Sequence, residues 1–128
     1  MGRPAAKDLT ERELEVMQTF WTGGEATAAE ARDRLAAAGL DRTYATVANL
    51  VRGLHERGFL EQVNQDRPYA YRSSRTFEDV SGRLLGDLVD RVFRGSRSAL
   101  LCRLVAGRRL TAEERDVLER VLREESGD

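Results

Sequence analysis

The chain has 128 residues, 34% of them charged, which is enough for one core or for one small domain with an accessory segment. Aliphatic residues outnumber aromatics and only two prolines occur, the composition of a mainly helical protein. No apolar stretch approaches the roughly 20 residues of a membrane span, which argues against membrane insertion. The single cysteine, Cys102, excludes an intramolecular disulfide framework and a cysteine-clustered zinc site, so neither metal nor cofactor is expected.

Residues 1–8 lack the apolar core of a secretory signal and the Ser or Thr of a myristoylation motif, so the expected location is cytoplasmic. Thr10-Glu11-Arg12-Glu13 is a capping box, in which Thr10 caps a helix and Glu13 reaches back to it. The first helix places Leu14, Met17, Phe20 and Trp21 on its buried face and stops at Gly23-Gly24. A second box, Thr27-Ala28-Ala29-Glu30, opens a short alanine-rich helix to about Ala38, with Gly39 as a left-handed cap. Leu40 and Asp41 form a short turn before Thr43 caps a third helix. There Val47, Leu50, Val51 and Leu54 form one apolar stripe, and Gly58 closes the helix. Residues 59–63 and 69–72 read as two strands around the polar turn Asn64-Gln65-Asp66-Arg67-Pro68. Helix, helix, turn, helix, hairpin is the order of a winged helix-turn-helix, assigned to residues 8–75.

Residues 76–125 are expected to form a second, helical domain. Thr76 and Asp79 cap a helix carrying Phe77, Val80, Leu84, Leu88 and Val92, widened by Leu85, Val89 and Phe93; Gly95-Ser96 breaks it. A shorter helix carries Ala99, Leu100, Leu101, Leu104 and Val105. The box Thr111-Ala112-Glu113-Glu114 then opens a last helix with Val117, Leu118, Val121 and Leu122, before a frayed tail at residues 126–128. About 50 residues struggle to bury such stripes alone. Either the winged helix of the same chain covers them or a second copy does. The expectation is a homodimer built on Phe77, Val80, Leu84, Leu88, Val92, Leu101, Leu104, Val117 and Val121. Two-fold symmetry would present two recognition helices to half-sites about one turn, ~34 Å, apart.

The net charge of −1 gives no support for a nucleic-acid partner, but its distribution does. Between Asp8 and Asp41 three arginines face eight acids; between Arg42 and Arg75 six arginines face three. Positive charge therefore gathers on the third helix and the hairpin. A recognition helix reads base edges with its N-terminal, outward residues. Here these are Tyr44, Ala45, Thr46, Asn49 and Arg52. Arg52 suits a bidentate contact to guanine and Asn49 one to adenine, while Tyr44, Ala45 and the Thr46 methyl suit thymine methyl groups. Thr43 caps and touches phosphate, and Arg42 holds phosphate beside it. Arg67 at the hairpin tip reaches the backbone or the minor groove, with Arg72 and Arg75 adding positive field. Tyr69 and Tyr71 share one strand face, where packing beneath the wing is favoured over base stacking.

An enzyme finds little support. His55 is the only histidine and reads as a surface or phosphate-contacting residue. Cys102 sits in an apolar segment and reads as a buried small hydrophobe, with redox sensing as the alternative. Ser96 and Ser98 have no partner constellation, and no glycine-rich phosphate loop occurs. The competing class is a winged helix used for protein binding, since fold alone does not decide function.

With those residues in view, the chain resembles the penicillinase-repressor family, the BlaI/MecI-type regulators, over nearly its whole length. The most specific stretches are Leu14-Glu15-Val16-Met17 with Phe20-Trp21, Thr43-Tyr44-Ala45-Thr46-Val47, residues 50–58, Arg57-Gly58-Phe59-Leu60 and Arg67-Pro68-Tyr69-Ala70-Tyr71. The resemblance implies a homodimeric repressor on palindromic double-stranded operator DNA, with contacts from the third helix and the wing. In antibiotic-responsive members, signalling by a membrane-bound sensor leads to cleavage of an Asn-Phe bond in the dimerisation domain. An ungapped alignment back from Leu110-Thr111 puts Arg103-Leu104 at that position, a departure from the family's pattern. A sensor-linked protease is thus an implied partner. Copper-responsive relatives carry clustered C-terminal cysteines, whereas Cys102 stands alone.

Overall fold

The computed structural model describes residues 9–126. The readings of residues 1–8 and of the tail at 127–128 lie outside them. In chain order the described elements are α1 (Glu11–Gly23), β1 (Ala26–Thr27), α2 (Ala28–Ala37), α3 (Tyr44–Glu56), β2 (Leu60–Gln62), β3 (Ala70–Ser73), α4 (Phe77–Arg91), α5 (Arg97–Val105) and α6 (Ala112–Glu125).

Local chemistry sets most of these limits. Thr10, Thr27 and Thr111 each accept from the backbone N–H three residues on, and Glu13, Glu30 and Glu114 accept from the capping residue's own N–H. All three boxes therefore form, relieving two of the orphan donors at each helix start. The other end of α3 closes on Gly58, at φ 86°. The Gly58 N–H donates to the His55 carbonyl at 3.1 Å and the Phe59 N–H to the Leu54 carbonyl at 2.9 Å. That pair of bonds is a Schellman motif, and it delivers Phe59 back into the core beside the last buried residue of α3. Gly39 and Leu40 repeat the motif on the carbonyls of Ala36 and Leu35.

Two compact units result, one up to Asp87 and one from Leu88 onward. In the first, α1, α2 and α3 pack together over Val16, Met17, Phe20, Ala31, Leu35, Val47, Val51 and Leu54, all buried. Each such side chain contributes about 1.5–3 kcal/mol through burial. The sheet has the antiparallel order β1-β3-β2, with Ala26 opposite Tyr71 and Glu61 opposite Arg72. The sequence reading contained only the hairpin; β1 is a third, two-residue strand. Trp21 ties α1 to the end of the wing, its indole N–H donating to the Arg75 carbonyl at 2.8 Å. Its ring also meets Phe77 edge-on at 5.4 Å.

The first half of α4 belongs to this core. Val80 is 1% exposed and Leu84 packs against the same cluster. Val80 is therefore removed from the expected dimer stripe, because it closes the winged-helix core from within the chain.

In the second unit Ser96, read as part of a helix break, caps α5 by accepting from the Ala99 N–H at 3.0 Å. Neither α5 nor α6 has a buried residue. Leu101, Leu104, Val117 and Val121 are all exposed, Leu104 at 63%. Cys102 is exposed too, which corrects its reading as a buried small hydrophobe. On α5, Leu101, Leu104 and Val105 are exposed as well, while Leu100 is half-buried.

Two glycine substitutions should move stability in opposite directions. A methyl group at Gly53 or Gly58 meets nothing within 4 Å, so only the backbone decides. Gly58→Ala, in the left-handed region, should cost about 1 kcal/mol. Gly53→Ala, inside α3, should add about 0.5–1 kcal/mol. Urea unfolding of both variants checks the pair, and equal signs would refute the assigned end of α3.

Candidate nucleic-acid interface

Because Val47, Val51 and Leu54 bury one side of α3, its opposite side is turned outward. Tyr44, Ala45, Asn49 and Arg52 are exposed there, with Thr46 half-buried. Thr43 caps as expected, its hydroxyl accepting from the Thr46 N–H at 3.2 Å. Arg52 donates from Nη1 to Asn49 Oδ1 at 3.1 Å, linking two of the predicted base readers one turn apart.

Both ends of α3 are fastened to α1. Just before the helix, Arg42 Nη2 meets Glu15 Oε1 at 3.0 Å and Oε2 at 3.1 Å. Just after it, Arg57 Nη1 donates to Glu13 Oε2 at 2.9 Å. All four side chains are mostly buried. Arg42, expected to hold phosphate, is thus engaged within the fold. Glu13, Glu15 and Arg57 had not been singled out as partners. Their signal was faint: acids two apart on one helix, arginines flanking another.

The wing is shaped by Asn64. Its Nδ2 donates to the carbonyls of Asp66 and Pro68, both at 3.1 Å, and its Oδ1 accepts from the Ala70 N–H at 2.9 Å. The Arg67–Pro68 peptide is cis. At the tip, the Arg67 guanidinium lies 5.4 Å from the Tyr69 ring centre. A hydrogen bond with Tyr69 raises its pKa further. Asparagine at the start of a polar turn is a known turn former, and that was the available sign of the role of Asn64.

The remaining arginines of the hairpin behave differently from expectation. Arg72 pairs with Glu61 across the strands. Arg75 is 3% exposed, its guanidinium 4.6 Å over the Phe59 ring, so it adds no field at the wing surface. Among the described residues, Arg52 and Arg67 have no carboxylate partner. These two carry the outward positive charge of α3 and the wing, and both line one cleft.

That cleft, of about 370 Å³, lies between α3, β3 and the start of α2. Its walls include Tyr44, Arg52, His55, Arg67, Tyr69 and Tyr71, and none of its described lining residues is acidic. Tyr71 is buried and Tyr69 half-buried, so both pack beneath the wing; burial, then Tyr69, pushes the Tyr71 phenol up. His55 is half-buried, with Nδ1 3.1 Å from the Leu60 carbonyl oxygen and its ring tilted on Tyr71. It props β2 on α3 while also lining the cleft. Among the described residues no group of three or more His, Cys, Asp or Glu is arranged to hold a metal.

Residues 9–124 match the penicillinase repressor family, nearly the whole chain. The chain belongs to that family. It is therefore a DNA-binding transcription regulator of the penicillinase-repressor type. No curated protein sequence gives a significant match. Among solved structures, the hsRosR-S1 complex superposes with TM-score 0.57 at 15% identity, covering 96% of each chain. The oxidized form of MarR from E. coli gives 0.51 at 17% identity, over 92% of this chain and 76% of that one. A MarR mutant from E. coli complexed with operator DNA gives 0.50 at 16%, over 92% and 76%. At these identities the likeness establishes the regulator's fold, a winged helix-turn-helix followed by helices. No described helix of the repressor is long and apolar enough to cross a membrane.

The pairing of Arg42 makes a prediction that separates scaffold from ligand contact. Arg42→Ala and Glu15→Ala should each cost about 1–2 kcal/mol, between exposed and buried pairs, and the double variant should cost less than their sum. A double-mutant cycle by urea unfolding measures this. Unchanged stability with a flatter salt dependence of DNA binding would return Arg42 to phosphate.

Proposed function

We propose that the chain is a cytoplasmic homodimeric repressor that binds a palindromic operator through α3 and the wing. The observation that carries the reading is the placement of Arg52 and Arg67. They are the cations of the α3–wing surface without a carboxylate partner among the described residues, and they line one cleft without acids. Arg52 and Asn49 face a major groove, with Tyr44, Ala45 and Thr46 against neighbouring bases and Thr43 near phosphate. Arg67 takes the backbone or the adjacent minor groove. Arg42 acts from behind, through Glu15, by holding the helix.

Dimerisation is supported by the second unit, where Leu88, Val92, Leu101, Leu104, Val117 and Val121 are exposed in one chain. These six, with Phe77, form the proposed interface. Exposed apolar surface on this scale marks an interaction site. Relief of repression is proposed to follow cleavage near Arg103-Leu104, in the last turn of α5, by a sensor-linked protease.

Mobility shifts with duplex DNA at two salt concentrations test the reading. Arg67→Ala should lower the slope of log affinity against log salt by about 1 and keep the sequence preference. Absence of binding to any duplex at low salt would favour a protein-binding module instead. For the dimer, sedimentation of the full chain should give twice the monomer mass, and the Leu104→Asp/Val121→Asp variant a folded monomer with weak operator affinity. A variant that still dimerises would refute the interface.

A further inference from the structure

We infer that Arg52 reads a guanine while Asn49 holds it in place, and that Asn49 specifies no adenine of its own. The inference rests on the operator binding proposed above. The two residues lie three apart on the outward side of α3, and both are exposed. Arg52 Nη1 donates to Asn49 Oδ1 at 3.1 Å. A guanidinium has five N–H donors and no acceptor, so a bond between these side chains requires the asparagine to present its carbonyl oxygen.

That requirement changes what Asn49 can read. A bidentate contact to adenine uses Oδ1 to accept from the exocyclic N6 and Nδ2 to donate to N7. With Oδ1 turned to Arg52, one of its two lone pairs is occupied, and the groove side is offered mainly donors, the rest of the arginine fork and the Nδ2 hydrogens. In the major groove guanine presents two neighbouring acceptors, N7 and O6. Adenine sets its N6 donor against this surface and cytosine its N4 donor, so both are disfavoured. Thymine offers one acceptor beside a methyl group. The bond also restricts a long side chain that would lose rotamer freedom on binding, so part of that entropy cost falls before DNA arrives. Arg52 is then the contact residue, and Asn49 positions it.

The test is selection of the full chain, and of its Asn49→Ala and Arg52→Ala variants, on a randomised duplex library, followed by affinity measurements on the selected site. Both residues are exposed, so melting curves should coincide and folding is controlled. The expected result is loss of preference at the same G·C pair in both variants. Arg52→Ala should lose on the order of tenfold in affinity. Asn49→Ala should lose less, and the double variant no more than Arg52→Ala alone. Loss of an adenine preference at a different position in Asn49→Ala, or additive losses, would overturn the coupling while leaving operator binding intact. Failure of the unmodified chain to select any motif would overturn the proposed function together with it.

Discussion

The arrangement of this molecule depends on how α1 holds α3. The apolar stripe of α3 decides which side faces inward, but a stripe alone leaves a helix free to tilt and slide. Two ion pairs remove that freedom, Glu15 to Arg42 before the helix and Glu13 to Arg57 after it. Glu13 performs two tasks with its two oxygens. Oε1 accepts from the Thr10 N–H and completes the cap of α1, while Oε2 takes the hydrogen bond from Arg57. Its charge lies at the positive end of α1 and that of Arg57 at the negative end of α3, so both helix dipoles favour the bond. The start of one helix and the end of another are thereby joined through one carboxylate.

This division of labour explains why bulk charge says so little about the partner. Arg42, Arg57, Arg72 and Arg75 are engaged in ion pairs or held over an aromatic ring, and they serve the scaffold. Arg52 and Arg67 face outward without a carboxylate, one on the helix and one on the wing. Charge without a local anion is what a polyanion can exploit, because engaging it displaces only solvent and counterions. The positive balance of residues 42–75 is divided by the structure between two uses of its arginines.

Features encoded by near neighbours were legible in the sequence. Thr10, Thr27 and Thr111, each followed three residues later by glutamate, gave three helix starts. Gly39 and Gly58 gave two helix ends, and the Val47–Val51–Leu54 spacing gave the inward face of α3. Features that depend on distant partners were not legible. Strand β1 has two residues, too few for any alternation, and exists because Ala26 and Thr27 meet Tyr71 and Ala70. Arg75 sits over the Phe59 ring, His55 against the Leu60 carbonyl and Val80 in the winged-helix core for the same kind of reason. The short helix around Leu100 and Leu104 was legible and the exposure of Cys102 on it was not. Of the expected DNA contacts, the α3 set stands together on one outward surface with Arg67 on the wing beside it, whereas Arg42 joins the scaffold.

The central claim is that the α3–wing surface is where DNA binds. Amide chemical-shift mapping of the full chain, titrated at low salt with a duplex that it selects, tests this most directly. The account predicts the largest shifts at residues 43–52 and 64–69, with the exposed surface of α1 and the second unit changing little. Shifts centred on α1 or the second unit, with residues 43–52 unmoved, would contradict it.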